Sequence, residues 1–129
     1  MMSKQIINTV NAPAPIGPYS QAVKTGDLLF VSGQIAIDPK TNNLIEGSIM
    51  EETKQVMKNL EAILEEAKIS FEHIVKTTIF LSDMSLFAEV NEVYGSFFNK
   101  TYPARETVAV KGLPKYVHVE ISVIATCSL

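Results

Sequence analysis

The chain has 129 residues, 47% hydrophobic and 19% charged, which is typical of a globular protein long enough for one domain with a core. Its net charge of −3 and pI of about 5.3 give no electrostatic support for binding nucleic acid or an anionic membrane. The lone Cys127 excludes an internal disulfide, and no segment resembles a signal peptide or approaches the roughly 18 apolar residues of a membrane span, so a cytoplasmic protein is predicted.

The N-terminal part of the chain predicts irregular structure followed by a strand. The stretch "NAPAPIGPYS" (11–20) is rich in proline and glycine, which disfavour a helix and indicate an ordered loop. The stretch "LLFVSGQIAI" (28–37) has the composition of a buried strand. Gly33 within it indicates a β-bulge or a close approach to the backbone, and "DPKTNN" (38–43) predicts a turn.

Two helices are predicted in the middle of the chain. Ser48 and Glu51 form the S-x-x-E pattern of a capping box, and apolar residues between Val56 and Ala67 then recur at helical spacing. A strand is predicted over 73–83, with Val75, Thr77, Ile79 and Leu81 on one face. A second amphipathic helix follows Asp83. Two further strands are predicted, "RETVAV" (105–110) and "YVHVEISVIAT" (116–126).

This order predicts a single α+β domain over residues 1–129, with a mixed sheet covered by two helices on one face. The N-terminal segment is expected to supply another strand or two. In the last strand Val117, Val119, Ile121, Val123 and Ala125 are expected to pack under the helices. The other side carries Tyr116, His118, Glu120, Ser122 and Ile124. Because that side is neither fully polar nor fully apolar, it suits a subunit interface with wet pockets.

Arg105 and Glu120 are the strongest candidates for chemistry. If the last two strands pair as an antiparallel hairpin with Val108 and Val119 facing one core, Arg105 and Glu120 share the opposite face. One permitted register sets them opposite each other. The pair is then either a structural ion pair or a site where the guanidinium grips a carboxylate ligand, a contact of roughly 1.5–3 kcal/mol.

Other signals are weaker when taken alone. Tyr19 follows Gly-Pro in the N-terminal loop and is either a lid or a core anchor. His73 and His118 have no second histidine or cysteine at ligand spacing, so no metal site is expected. Phosphate-loop, dinucleotide-binding and serine-hydrolase motifs do not occur in the sequence.

Several long segments of the sequence resemble the reactive intermediate deaminases, or Rid proteins, and are most similar to the RidA branch. The resemblance covers nearly the whole chain. It is carried by "APAPIGPYSQAV", "VSGQIAIDP", "VKTTIFLSDMSLFAEVNEVYGSFF", "YPARETVAV" and "LPKYVHVEISVIA", in that order.

The resemblance implies a fold, an assembly and a reaction. The implied fold is chorismate-mutase-like α+β, with three subunits packing their sheets into a central barrel and pockets between adjacent subunits. The implied reaction is hydrolysis of 2-iminopropanoate and 2-iminobutanoate, which PLP-dependent dehydratases release, to 2-oxo acids and ammonia. It implies no metal and no organic cofactor.

The resemblance also implies roles for individual residues. Arg105 matches the arginine that clamps the substrate carboxylate, and Glu120 matches the glutamate that holds the attacking water. The other residues implied to line the pocket are Tyr19, Ser32, Gly33, Asn91 and Thr107. Many relatives have cysteine where this chain has Thr107, which disfavours thiol chemistry at that position and leaves its backbone carbonyl available to hold water.

Two other functions remain open at this point. The same pocket would serve a non-catalytic protein that senses 2-oxo or amino acids, since Arg105 alone suffices to bind a carboxylate. RNA cleavage or translation inhibition has also been attached to the family. The acidic net charge and the absence of a basic stripe in the sequence weigh against an RNA partner.

Overall fold

The computed structural model describes residues 3–99 and 101–128, so residues 1, 2, 100 and 129 of the predicted domain lie outside it. Within these ranges the chain forms two helices and eight strands. The helices are α1 (Ile49–Glu66) and α2 (Phe87–Ser96), and the strands are β1 (Lys4–Ile7), β2 (Ala22–Thr25), β3 (Leu28–Gln34), β4 (Ile37–Asp38), β5 (Asn43–Leu44), β6 (Ile74–Leu81), β7 (Ala104–Ala109) and β8 (Val119–Thr126).

The main sheet has the strand order β1-β2-β3-β8-β6-β7 in the described part of the chain, and β4 pairs with β5 in a small separate hairpin. Strands β6 and β7 are parallel, whereas the other neighbours in the main sheet are antiparallel. The parallel pair follows from α2, which links the two strands and carries the chain back to the end where β6 began. The prediction of a mixed sheet is confirmed, and the N-terminal segment supplies β1 and β2.

Helix α1 begins where the capping pattern predicted. The Ser48 hydroxyl accepts a hydrogen bond from the Glu51 backbone N–H at 3.1 Å, which satisfies a donor that the first turn would otherwise leave free. The apolar stripe of α1 is buried against the sheet, as expected for an amphipathic helix. Its buried apolar members are Val56, Met57, Leu60, Ile63 and Leu64.

Helix α2 lies beside α1 on the same face of the sheet. A 3₁₀ turn (Met84–Leu86) precedes it, and the Asp83 carboxylate caps that turn by accepting from the Ser85 N–H at 2.8 Å. Val90, Val93 and Tyr94 of α2 are buried, and the Tyr94 hydroxyl reaches Thr77 of β6. The prediction of two helices on one face is confirmed.

The two faces of the sheet differ in what covers them. The inner face packs under the helices and is fully apolar along β8, where Val119, Ile121, Val123 and Ala125 are buried. The outer face has no covering element within the described residues and is mixed in character, because the Lys76–Glu106 ion pair and other polar side chains lie beside exposed apolar ones. Its exposed or half-buried apolar side chains are Ile6, Val23, Leu28, Phe30, Phe80, Val108 and Ile124.

The predicted hairpin between the last two long strands is wrong. Strand β6 lies between β7 and β8, so Thr77 pairs with Arg105 on one side and with Val123 on the other. Residues paired across a sheet point to the same face, so Arg105 points to the helix side. Phe80 pairs with Val108 and with Glu120, which places Glu120 on the outer face. The expectation that Arg105 and Glu120 share a face is therefore also wrong.

Two smaller expectations differ from the structure. Tyr116 and His118 lie before β8 rather than in it, because Pro114–Tyr116 form a 3₁₀ turn in which Lys115 (φ 54°) and Tyr116 (φ 58°) adopt left-handed backbone. That conformation costs about 1–2 kcal/mol per non-glycine residue. Val75 is exposed, because a register shift between Ile74 and Lys76 removes it from the inner-face alternation. No helix in residues 3–99 and 101–128 has the length and apolarity to cross a membrane.

Candidate functional site

Glu120 lines a small cavity at the outer face of the sheet. The cavity has a volume of about 40 Å³, enough for water or a few atoms of a ligand. Its walls are mainly apolar and come from the N-terminal loop, the end of β3 and the turn before β8. The lining residues are Pro13, Ala14, Ile16, Tyr19, Gln21, Gly33, Gln34, Ile35, Ile37, Pro114 and Glu120.

Gly33 determines where the Glu120 carboxylate lies. The register between β3 and β8 shifts between Val31 and Gln34, which confirms the irregularity predicted at Gly33. A Cβ atom built on Gly33 would stand 2.6 Å from Glu120 Oε2 and 2.8 Å from its Cδ. A side chain at this position would therefore displace the Glu120 carboxylate, whereas glycine lets the backbone of β3 lie directly against it.

Burial in this cavity changes the acidity of Glu120. Partial removal from water disfavours the ionised carboxylate, so the pKa of Glu120 is raised above the ordinary glutamate value of 4.5. A carboxylate with a raised pKa in a small cavity is suited to accept and return a proton.

Tyr19 lies at the rim of the same cavity. The residue is 47% exposed, and its hydroxyl accepts from the Ile16 N–H at 3.3 Å. This position excludes the core-anchor interpretation of Tyr19 and agrees with a closing role. The anchor of the loop is Gln21 instead, a buried side chain that no local sequence pattern marks.

Gln21 and Ser32 hold the N-terminal loop in place. The Gln21 side chain accepts from the Thr9 N–H at 2.7 Å and donates to the carbonyls of Thr9, Ala12 and Pro13 at 3.0, 3.3 and 2.9 Å. The Ser32 hydroxyl donates to the Ser20 carbonyl at 2.6 Å. Ser32 thus supports the loop that carries Tyr19, whereas Gly33 forms the cavity wall itself.

Arg105 lies on the other side of the sheet, in a setting built by α2. Its Nη1 donates to Asn91 Oδ1 at 2.5 Å. Its guanidinium carbon lies 5.6 Å from the ring centre of Phe87 and 5.2 Å from that of Tyr94, within the range of cation–π attraction. Phe87 and Tyr94 belong to the helical apolar stripe, so nothing in their spacing distinguished them from core residues.

The surroundings of Arg105 leave its guanidinium accessible. An open cavity of about 580 Å³ borders it, lined by Asn91, Glu92, Tyr94, Gly95, Tyr102, Pro103 and Arg105. The Tyr94 hydroxyl donates to Thr77 Oγ1 at 2.9 Å, and burial raises the pKa of Tyr94 even though that hydrogen bond and the nearby guanidinium favour ionisation. Tyr94 therefore stays uncharged, and its ring lies against the guanidinium of Arg105.

Thr107 lies two residues after Arg105 on the same side of β7. Its hydroxyl oxygen is buried and has no hydrogen-bond partner among the described residues. Buried polar atoms are normally paired, so Thr107 is an exception within the described residues, and it does not line the cavity beside Arg105.

The candidate residues thus form two clusters. We call Arg105, Asn91 and Thr107 the arginine half-site, and Glu120, Gly33 and Tyr19 the glutamate half-site. The half-sites lie on opposite faces of one sheet, so one copy of the chain does not bring Arg105 and Glu120 to the same small ligand. Among residues 3–99 and 101–128, no three His, Cys, Asp or Glu side chains group closely enough to hold a metal ion.

Comparison with known proteins places the chain in a family. Residues 9–127 match the family model described as Endoribonuclease L-PSP. A RutC family protein from Pyrococcus horikoshii is 52% identical over 122 residues, which cover 95% of this chain and 97% of that protein. The 2-iminobutanoate/2-iminopropanoate deaminase of Mus musculus is 45% identical over 122 residues, covering 95% of this chain and 90% of that one.

A solved structure agrees with these sequence matches. The crystal structure of a Rid family protein of unknown function from Yersinia pestis has a TM-score of 0.93 to this chain at 47% identity, covering 96% of this chain and 99% of that one. The motifs, the α+β fold and these matches together show that the chain belongs to the endoribonuclease L-PSP family and is a Rid protein.

Proposed function

We propose that the chain is a 2-imino acid deaminase that hydrolyses 2-iminopropanoate and 2-iminobutanoate to 2-oxo acids and ammonia. The observation that carries the proposal is the pair of half-sites: an accessible guanidinium held by Asn91, and a partly buried carboxylate of raised pKa in a small apolar cavity. The name of the mouse relative supports the same reaction.

The two half-sites require more than one copy of the chain. We propose a homotrimer in which the arginine half-site of one copy meets the glutamate half-site of the next. In a closed ring the same heterologous contact repeats between each subunit and the next. The exposed apolar side chains of the outer face, such as Phe30 and Val108, are buried when three sheets pack together. Each ring then holds three complete sites.

Arg105 sets the position of the substrate in this arrangement. Its parallel N–H donors grip the carboxylate of the imino acid by charge-assisted hydrogen bonds. Asn91 and the aromatic rings of Phe87 and Tyr94 fix the guanidinium, so C2 of the substrate lies at a fixed distance from it. A protonated imine is already electrophilic, so positioning supplies much of what hydrolysis needs.

Glu120 acts as the base toward water. It takes a proton as the water oxygen bonds to C2, giving a neutral carbinolamine, and returns that proton to the nitrogen. It then takes the hydroxyl proton as the C–N bond breaks and the C=O bond forms. Ammonia leaves and recovers the proton from Glu120 as ammonium, so the carboxylate is regenerated.

A coupled assay tests the proposal. A serine or threonine dehydratase generates 2-aminoacrylate, which tautomerises to the imine, and the decay of the imine is followed with and without the protein. We expect the wild type to accelerate the decay and Arg105→Ala to lose that acceleration. Equal decay with and without the wild-type protein would refute the deaminase.

RNA cleavage, which the family description names, is less well supported. The chain has a net charge of −3, and phosphate recognition draws on clustered basic residues. Salt-sensitive RNA binding by the purified protein would favour that activity over imine hydrolysis.

A further inference from the structure

Helix α1 carries two buried polar side chains that belong to neither half-site. Glu52 is 5% exposed and Asn59 is 1% exposed. They are seven residues apart and therefore lie on the same side of the helix, about two turns from each other. Both side chains reach backbone groups of segments that line the Glu120 cavity.

Asn59 holds the wall formed by the end of β3. Its Nδ2 donates to the carbonyls of Ile35 and Ile37, both at 3.0 Å, and its Oδ1 accepts from Gln55 at 2.9 Å. Ile35 and Ile37 lie beyond Gln34, the last residue of β3 that pairs with β8. Asn59 thus supplies the donors that the main sheet no longer provides there.

Glu52 holds the opposite wall through His118. Its Oε2 accepts from the His118 backbone N–H at 2.8 Å, and its Oε1 lies 2.8 Å from His118 Nδ1. His118 joins the turn that contains Pro114 to the strand that contains Glu120. Both of those residues line the cavity, so one carboxylate fixes the chain between them.

These segments lie beyond the main sheet, where the two tethers add to isolated backbone bonds such as Ser82 N–H to the His118 carbonyl at 3.0 Å and Ile45 N–H to the Ala36 carbonyl at 2.8 Å. Ile35, Ile37 and Val117 form a small apolar cluster separate from the main core. The adjoining turn contains Lys115 and Tyr116 in left-handed backbone, a conformation that persists only where surrounding contacts enforce it.

We propose that Glu52 and Asn59 are positioning residues for the proposed deaminase reaction. They do not touch the substrate; they hold the two walls that aim the Glu120 carboxylate and its water at C2. This inference rests on the proposed function. Because the carboxylate of the substrate is gripped by the arginine half-site, loss of either tether is expected to lower kcat with little change in KM.

The experiment compares Glu52→Leu and Asn59→Leu with Glu52→Gln and Leu64→Ala in the coupled assay, using full-length protein. The leucine variants fill the space without the tether, and Glu52→Ala and Asn59→Ala replace any that fails to fold. Glu52→Gln keeps an oxygen for the His118 N–H. Leu64 faces the core 12 residues along α1, about 18 Å from Glu52, and its truncation lowers stability without touching the tethers.

We expect the leucine variants to lose kcat by about 10-fold or more with KM within about twofold, since small displacements of catalytic groups have effects of this size. Glu52→Gln is expected to keep at least about half of kcat, and Leu64→Ala to keep kcat while melting earlier. Hydrogen exchange of the His118 amide is expected to be fast in Glu52→Leu and slow in the wild type.

Two results would overturn the inference while leaving the deaminase intact. One is an active wild type with both leucine variants within twofold of its kcat. The other is a loss of kcat in Glu52→Leu with the protection of the His118 amide unchanged. An inactive wild type is a different failure: it refutes the proposed function and the positioning role with it.

Discussion

The carboxylate of Glu120 fills the space that a side chain on residue 33 would need, with Oε2 2.6 Å from the position of a Cβ. Gly33→Ala therefore displaces the carboxylate, which is the free end of a flexible side chain, rather than the backbone. We expect kcat to fall by about 10- to 100-fold and the melting temperature to change little. Gly112→Ala is the matched control, because among the described residues no heavy atom beyond its own chain neighbours lies within 4 Å of its Cβ position. Full activity in Gly33→Ala would contradict the assigned position of Glu120.

Mixing two inactive variants tests the composite site. Arg105→Ala keeps an intact glutamate half-site and Glu120→Gln keeps an intact arginine half-site. If the chains are unfolded together and refolded at equal amounts into closed trimers, about one quarter of the junctions combine the two intact halves. We expect about one quarter of wild-type activity in the mixture and almost none in either variant alone. A mixture as inactive as its components would contradict a site shared between copies.

The outer face of the sheet is expected to be an interface. Phe30 is 42% exposed on that face and pairs with Ile124 across β3 and β8. Phe30→Glu places a charge where apolar groups are expected to meet, so it should dissociate the assembly and abolish activity together. Sedimentation velocity and the coupled assay measure the two effects. Val10→Glu, at an apolar residue 88% exposed outside the main sheet, is expected to change neither.

The raised pKa of Glu120 predicts that the stability difference between the wild type and Glu120→Gln depends on pH. Its pKa in the folded state exceeds 4.5 because of burial, so the folded state holds this proton more tightly than the unfolded state does. The stabilisation of the folded state that comes from this tighter proton binding is complete below about pH 4.5. It is lost as pH rises through the pKa of Glu120 in the folded state. At a pH above the folded pKa, the wild type therefore carries a desolvated charge that Glu120→Gln lacks.

We accordingly expect Glu120→Gln to melt a few degrees higher than the wild type at pH 7 and at nearly the same temperature at pH 4. Differential scanning fluorimetry across this range measures the change. A lower melting temperature for Glu120→Gln at pH 7 would show instead that a cation compensates the carboxylate, the first candidate being Arg105 of the neighbouring copy in the proposed trimer.

Much of the fold could be predicted because local signals were unambiguous. The capping pattern at Ser48 and the apolar stripes set both helices, and Gly33 marked the irregularity in β3. The pairing of the last strands could not be predicted, since nothing local shows that β6 separates β7 from β8. The predicted face of Arg105 is wrong because the outer face carries apolar residues among its polar ones. Val108 therefore looked like a core residue, although it is 44% exposed.

The site was predictable only in part for the same kind of reason. Arg105 and Glu120 stand out as charges within strands, and Asn91 does lie against Arg105. Phe87 and Tyr94 have the spacing of core residues, and Gln21, Glu52 and Asn59 acquire their roles from partners far away in the chain. Polar side chains that bind distant backbone groups leave no local pattern.

The central place of β8 in the sheet bears on how the protein forms in the cell. Strands β1 to β3 lie on one side of β8, and β6 and β7 lie on the other. During synthesis β8 is the latest of these strands to leave the ribosome. Until it does, no backbone hydrogen bonds between strands join the two parts of the sheet. Pairing residue 28 with residue 126 closes a long loop, which is slow compared with local contacts. The nascent chain therefore presents the unpaired edges of β3 and β6 until β8 has been synthesised, and this interval is when chaperones would protect it from aggregation.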